Sequence, residues 1–371
     1  MVKVGINGFG RIGRIAFRIG VLKHASELQF AAINTSGSMN TAGWAQLTNY
    51  DTMYRKFQYE VRSREVRDPQ EVTDDDPQIG ELMISEKDIK VPVLAQKDPA
   101  KIPWARYGVD VVIESTGHFV DEEGAKKHAI GGAKRVVISA PSKGGNVNTY
   151  VLGVNEFEGR EPQGTVISNA SCTTNCVAPV AAVMHSKFGV EKAMMTTIHS
   201  YTDDQNLQDG SHHDLRRARA AAQNIIPTTT GAAIATTETI PELKGLFDGM
   251  SLRVPVITGS ITDFTFLLKK DVTKEEVNQA FKEAVENPLY KGILAVSDGD
   301  LVSSDIIGRS ESAIVDLPLT QVVAGNMVKV FAWYDNEWGY ANRLVEQVIR
   351  VGRTLGENSA PTDPLTLSFK P

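Results

Sequence analysis

The chain has 371 residues, 42% of them hydrophobic and 23% charged, with 31 glycines, an ordinary globular composition long enough to bury two cores. A net charge of -6 and a pI near 5.7 argue against a basic nucleic-acid footprint or an electrostatic membrane anchor. No run of about 18 apolar residues offers a membrane span, and the strand-like VKVGI begins at residue 2, so the expectation is a cytoplasmic protein working on small molecules.

In chain order, the first 170 residues alternate β-branched runs with helical or capped stretches. VKVGI (2–6) passes through GFGRIG (8–13) into a helix from about Arg11 to Lys23, and LQFAAI (28–33), VDVVIE (109–114), KRVVIS (134–139), TYVLGV (149–154) and TVISN (165–169) follow as strands. Strands punctuated by helices predict an α/β nucleotide-binding, Rossmann-like domain with a parallel sheet. In the glycine run, Gly8 permits the tight turn, Gly10 lets a pyrophosphate approach the backbone, and Gly13 lets helix and strand pack closely. Glycines of this kind also serve turns alone; it is the strand-turn-helix setting that points to a dinucleotide. At the end of the second strand, where such a site usually carries an acid for the ribose 2′-hydroxyl, the sequence AAINTSGSMN holds Thr35.

From Val190 the texture changes. EKAMMTTIHSY, SLRVPVIT, ITDFTFLLKK and MVKVFAWY are longer alternating runs, broken by one helix from Thr273 that opens on a capping box, TKEE. They predict an α+β catalytic domain with a mostly antiparallel sheet and helices on one face. A last helix, from about Glu337 to Leu355, carries Leu344, Val345, Val348, Ile349 and Leu355 on one stripe. The division expected is a dinucleotide-binding domain of residues 1–171 and 337–356, a catalytic domain of 172–336 and a tail of 357–371. Residues 62–80, polar, acidic and proline-containing, read as a surface loop, and both they and the tail are expected to be solvated or to touch a neighbouring subunit.

Two cysteines, Cys172 and Cys176, make neither a disulfide framework nor a metal site, and none is expected. Cys172 falls at the start of the apolar stretch TTNCVAPVAAVMHSKF, hence at a helix N-terminus, where the dipole favours a thiolate by roughly 0.3–1 kcal/mol, up to ~2 when partly buried. At about 1.36 kcal/mol per pKa unit, that moves a thiol by about one unit, so activation needs a base. His199, on the strand MTTIHSY, is the candidate partner; a satisfied structural histidine is the other reading, and Cys176, one turn deeper, reads as inert core.

The chain resembles the phosphorylating glyceraldehyde-3-phosphate dehydrogenases from Met1 to about Leu355, through NGFGRIGR (7–14), ESTG (114–117), SAPSK (139–143), SCTTNC (171–176), TTIHSYT (196–202), DLRRARAAAQNIIPTTTGAA (214–233), LRVPV (252–256) and WYDNEWGY (333–340). The resemblance implies a nucleophile at Cys172 that forms a thiohemiacetal and then a thioester, which inorganic phosphate releases, with His199 as the base. It implies that Thr202 and Arg253 hold the substrate phosphate and that Ser171, Thr173, Thr230 and Gly231 line the attacking phosphate. For the cofactor it implies Gly8, Gly10, Arg11, Ile12, Gly13, Asn34, Thr35, Ser36, Lys97, Ser115, Thr116, Ser139 and, from a neighbouring subunit, Ser211; Asn336 would hold the nicotinamide carboxamide and Tyr340 would pack beside the ring. A homotetramer is implied, in which the loop of about Tyr201 to Asn224 reaches the next subunit and its run LRRARA (215–220) makes interface ion pairs.

Three departures stand out. NAD-specific members carry an acid at the place of Thr35 and Leu-Pro at the place of Gly210 and Ser211, whereas NADP users resemble this chain at Ser211. Losing a charge-assisted hydrogen bond costs NAD about 1.5–3 kcal/mol, roughly 10- to 150-fold, and lifts the repulsion of a 2′-phosphate. With no arginine close behind the strand, Thr35, Ser36, Ser38 and Lys97 must serve the phosphate, so use of both NAD and NADP, with NADP favoured, is expected. Ile234 and Glu238 stand where many members have lysines, and nothing in the sequence explains them. An erythrose-4-phosphate dehydrogenase and a non-enzymatic nucleotide-binding paralogue are the alternatives; IIPTTTGAA (225–233) argues against the first, and the full Cys172, His199, Arg253 and Asn336 set against the second.

Overall fold

The computed structural model describes residues 1–156, 162 and 164–355; the expected tail of 357–371 lies outside them. The chain divides into two compact units, one formed chiefly by Met1–Thr149 with the segment from Ala341, the other chiefly by Ala170–Tyr340.

The first unit is built on a nine-stranded sheet in the order Asn148–Thr149, Val166–Ser168, Arg135–Ile138, Val111–Glu114, Val2–Asn7, Leu28–Thr35, Ile89–Ala95, Gln78–Ile84, Arg62–Glu65. It is parallel as far as Ile89–Ala95, and its last two strand pairings are antiparallel. Central residues such as Val4, Ile6, Val111, Val112 and Val136 are fully buried, as expected of strands covered on both faces. The glycine run leads into the helix Arg11–Lys23, and the last helix, Trp338–Thr354, buries Leu344, Val345, Val348 and Ile349, although Leu355 falls beyond its end and is only half-buried.

Two expectations need correction here. Part of the expected surface loop, Arg62–Glu65, is an edge strand paired with Gln78–Ile84, a strand whose first three residues also fall within that expected loop; Ile89–Ala95 is not among the expected strands. RSRE lacks apolar alternation because neither of its faces covers core; it is ordered by its neighbour's free backbone groups, which no sequence pattern records. Only the first residue of TYVLGV is in a strand, the short Asn148–Thr149. Gly153 at φ +81 and the Val154 N–H on the Val151 carbonyl turn the chain, and its apolar residues fill a small core with Ala170 and Ala178.

The second unit holds an eight-stranded sheet in the order Ile226–Thr228, Phe247–Val254, Val190–Ser200, Ser260–Leu268, Met327–Tyr334, Ala313–Asp316, Leu294–Ser297, with Gln321–Val323 added to Met327–Tyr334. Five of its strand pairs are antiparallel and two parallel. The helices Cys172–Phe188 and Lys274–Glu286 pack Val177, Val180, Met184, Val277 and Phe281 onto Phe264, Phe266, Val328 and Val330, side chains whose burial stabilises by about 1.5–3 kcal/mol each. Thr273 caps its helix through a reciprocal bond with Glu276, as the TKEE motif predicts. A further helix, Ala232–Thr239, escaped the sequence because its threonines and absent periodicity are weak helix signals.

Candidate active site

Sheet register sets the centre of the second unit. Val190–Ser200 runs parallel to Phe247–Val254 with His199 directly beside Arg253, so the two side chains share a face. Cys172 is the first residue of its helix, and Ser171 caps that helix by accepting from the Thr174 N–H at 2.9 Å. Before it, Ala170 sits at φ +57, a strained position for a residue with a Cβ, and its carbonyl takes the Tyr340 hydroxyl at 3.0 Å.

Cys172 Sγ lies 3.4 Å from His199 Nε2. On the ring's other side, Nδ1 donates to the Ser200 carbonyl at 2.7 Å, and Arg253 Nη1 donates to the same oxygen at 3.2 Å, so the 3.0 Å approach of Nη1 to Nδ1 is two donors converging on one acceptor. This fixes the tautomer: the bare Nε2 faces the thiol. Burial, then the Arg253 cation, pull the imidazole pKa down to about 3. Burial pushes the Cys172 thiol up, while Arg253 and the Thr173 hydroxyl and N–H pull it back. The resting pair is therefore thiol and neutral imidazole. Cys176 is fully buried, and burial pushes its thiol up as well, in keeping with an inert role.

A stability consequence follows for His199. Between pH 6.5 and 3 the unfolded chain binds a proton here that the folded one refuses, so stability is full above 6.5 and falls as pH drops, by up to about 1.4 kcal/mol per unit. His199→Gln should flatten the decline of Tm over that range; slopes equal to those of the parent would show that the histidine takes up its proton in the fold.

Arg253 is largely buried yet makes no salt bridge among the described residues. Its Nη1 also donates to Thr202 Oγ1 at 3.3 Å, and its Nε has no partner. A buried guanidinium without a carboxylate is costly unless an anion completes it. The structure thus brings Cys172, His199, Arg253 and Thr202 together. Thr173 is buried, its hydroxyl bonded to that of Tyr334 at 2.9 Å, and Tyr334 also bonds Thr197 and lies edge-on to His199. Thr230 and Gly231 stand at the start of the helix Ala232–Thr239, where Thr230 Oγ1 accepts from the Ala232 N–H and a Cβ on Gly231 would meet open space. Asn336 Oδ1 accepts from Ser200, Thr258, Ser260 and the Gly259 N–H; that last donor fixes the amide, whose Nδ2 meets no acceptor among the described residues.

In the first unit the glycine run suits a dinucleotide. Gly8 has φ +94, and a Cβ there would lie 2.7 Å from the Ser115 carbonyl carbon; a Cβ on Gly13 would lie 2.2 Å from the Gly8 carbonyl oxygen. Gly10 opens onto free space and leaves the start of Arg11–Lys23 without a side-chain cap, so its N–H groups suit a pyrophosphate. Ile12 is half-buried on this first turn, and Arg11 is held by Asp51 at 2.8 Å. Ser115 Oγ donates to the Gly8 carbonyl at 2.7 Å, and the Ser139 N–H donates to the Glu114 carbonyl at 2.9 Å.

Asn34 is buried and structural in its contacts: it donates to Asn7 Oδ1 and the Gln96 carbonyl and accepts from the Gln96 N–H. Thr35 likewise turns inward, its hydroxyl donating to the Leu94 carbonyl at 3.0 Å and accepting from the Gly37 N–H, which leaves no proton for a phosphate. The outward hydroxyl is that of Ser36, 3.0 Å from Ser38 Oγ, and Lys97 is exposed without an ion pair among the described residues.

Sequence reasoning missed Tyr334 and the buried Glu114, which ends an apolar strand and accepts from Asn7 Nδ2 at 2.6 Å, His128 Nε2 at 2.9 Å and the Thr116 N–H at 2.8 Å. A phenol on the buried stripe of MVKVFAWY and an acid closing VDVVIE both require partners, and that requirement was the available signal. Within the loop that carries LRRARA, Arg217 pairs with Asp204 and Asp214, and Arg219 with Asp209. Ser211 in the same loop is exposed.

Comparison with known proteins agrees with this picture. The family model for the "Glyceraldehyde 3-phosphate dehydrogenase, NAD binding domain" matches residues 2–122, and that for the "C-terminal domain" matches residues 171–336. A glyceraldehyde-3-phosphate dehydrogenase of Streptomyces coelicolor is 49% identical over 354 residues, 95% of this chain and 99% of its own length. One from Bacillus cereus is 48% identical over 93% of this chain and 97% of its own, and the chloroplastic glyceraldehyde-3-phosphate dehydrogenase B of Pisum sativum is 48% identical over 93% and 73%. With both domains matched and near-complete relatives at this identity, the chain belongs to the glyceraldehyde 3-phosphate dehydrogenase family.

Proposed function

We propose that this chain oxidises D-glyceraldehyde 3-phosphate with inorganic phosphate to 1,3-bisphosphoglycerate, reversibly and through a thioester on Cys172. The observation that carries the proposal is Arg253, a partly buried guanidinium without a carboxylate among the described residues, set beside a thiol and a bare imidazole nitrogen. A dinucleotide supplies the hydride acceptor.

The chain's own residues do the rest. Sγ of Cys172 passes its proton to His199 Nε2 and attacks the aldehyde carbon; the Cys172 N–H and the protonated imidazole face the developing oxyanion, which takes the proton back as a thiohemiacetal. His199 then removes the hydroxyl proton as hydride leaves the carbon, giving the thioester. A phosphate oxygen attacks that carbonyl, the C–S bond breaks and the thiolate is recovered. In this scheme Arg253 and Thr202 hold the substrate's phosphate, Ser171, Thr173, Thr230 and Gly231 line the attacking one, and the Asn336 amide is offered to the carboxamide. Purified protein should reduce NAD or NADP only when both glyceraldehyde 3-phosphate and phosphate are present; reduction with neither substrate phosphate nor inorganic phosphate required would overturn the scheme.

The reading extends to use of both dinucleotides, NADP favoured, by a homotetramer in the cytoplasm. The absence of an acid at position 35 supports the cofactor part. In Thr35→Asp a carboxylate could not donate to the Leu94 carbonyl and would turn outward toward the ribose. The ratio of kcat/KM values should then move toward NAD by about tenfold or more; an unchanged ratio would show that this position does not set the preference.

A further inference from the structure

We propose that residues 66–77 form a fixed wall of the dinucleotide site that restrains binding of a ribose 2′-phosphate through its acidic side chains. The proposal rests on dinucleotide binding at Gly8–Gly13. These residues join Arg62–Glu65 to Gln78–Ile84. Because Gln78–Ile84 runs antiparallel to its neighbour, its first residue stands at the carboxyl ends of the parallel strands: Gln78 pairs with Leu94, and Leu94 with Asn34. That is the edge at which open α/β sheets take ligands.

Two contacts pin the segment to the turn that follows Thr35 and the helix it enters, a third ties it to Gln96 and Lys101, and a fourth closes it on itself. At its root, the Glu65 carboxylate accepts from the N–H groups of Thr41 and Ala42 at 3.3 and 2.7 Å, capping the helix Thr41–Asn49 into which the turn runs. Pro69 packs on the turn itself, its Cβ 3.6 Å from where a Cβ of Gly37 would be. Asp74 accepts from Gln96 Nε2 at 3.0 Å and Lys101 Nζ at 2.6 Å, and it is the backbone of Gln96 that clasps Asn34. An ion pair between Arg67 and Asp76 closes the segment on itself, with Arg67 Nη1 also donating to the Asp76 carbonyl.

The segment holds one arginine against five acids, Asp68, Glu71, Asp74, Asp75 and Asp76. Arg67 and Lys101 offset Asp76 and Asp74, which leaves Asp68, Glu71 and Asp75 without an ion pair among the described residues. Asp68 directly precedes the Pro69 that touches the turn. Lys97 is the opposing cation. Thr35 thus removes a negative charge from inside the site while the wall adds charge from outside it, and the balance between the two dinucleotides is set by both.

The test is a triple variant, Asp68→Asn, Glu71→Gln and Asp75→Asn, which spares every pinning contact. NAD and NADP binding would be titrated calorimetrically at low and high ionic strength, with kcat/KM measured for each. The expected result is an NADP preference raised about threefold or more at low salt, shrinking at high salt, with NAD binding unchanged. An unmoved ratio, or equal changes for both dinucleotides, overturns the wall. If neither dinucleotide binds the unaltered protein, the reading of the glycine cradle falls with it.

Discussion

Replacing Cys172 by serine is expected to lower kcat/KM with glyceraldehyde 3-phosphate by on the order of 10⁴-fold or more, the scale on which removal of a covalent nucleophile acts. The reason lies in the base. His199, pulled down to about 3 by burial and by Arg253, can take a proton only from a group acidic enough to give it, and a hydroxyl is a far weaker acid than a thiol. The helix start and Arg253 would stabilise an alkoxide too, but by far less than that gap. Alkylation by iodoacetamide provides an independent check, since Cys172 is partly exposed and Cys176 is buried. Full activity after modification of Cys172, or a serine variant retaining more than about a hundredth of the activity, would overturn the covalent route. Unchanged dinucleotide binding in the same variant would separate loss of chemistry from loss of fold.

Much of this site was legible because its signals are local. The glycine run needs only its own turn, the capping box of Thr273 spans four residues, and Cys172 at the start of a helix follows from its place between a strand and the apolar stretch behind it. What stayed hidden depends on partners distant in sequence. His199 beside Arg253 is a matter of register between strands 54 residues apart, and it decides both the tautomer and the weak basicity of the histidine. Thr35 shows the same limit: the missing acid is visible in the sequence, but the inward turn of the hydroxyl comes from the Leu94 carbonyl on another strand. Arg62–Glu65 lacks a pattern because nothing apolar constrains either of its faces.

Arg253→Gln separates the two parts that the arginine plays. In the proposed scheme it anchors the substrate phosphate through charge-assisted hydrogen bonds, and losing them should raise KM for glyceraldehyde 3-phosphate about 10- to 150-fold. As neighbour of His199 it acts the other way, because its cation opposes protonation of the imidazole. A bound phosphate dianion would offset that cation and so ease proton transfer from Cys172 only when substrate is in place. Removing the cation relieves the opposition permanently, so the pKa of His199 should rise toward its ordinary value. With glyceraldehyde, which lacks the phosphate, the variant should lose far less kcat/KM than with glyceraldehyde 3-phosphate, because the cation that opposes the imidazolium also favours the thiolate, and the acid limb of its pH profile should move to higher pH. Equal losses on both aldehydes, with the acid limb unmoved, would reduce Arg253 to a structural residue. A lost phosphate preference without any shift of the acid limb would leave it an anchor that does not act on the base.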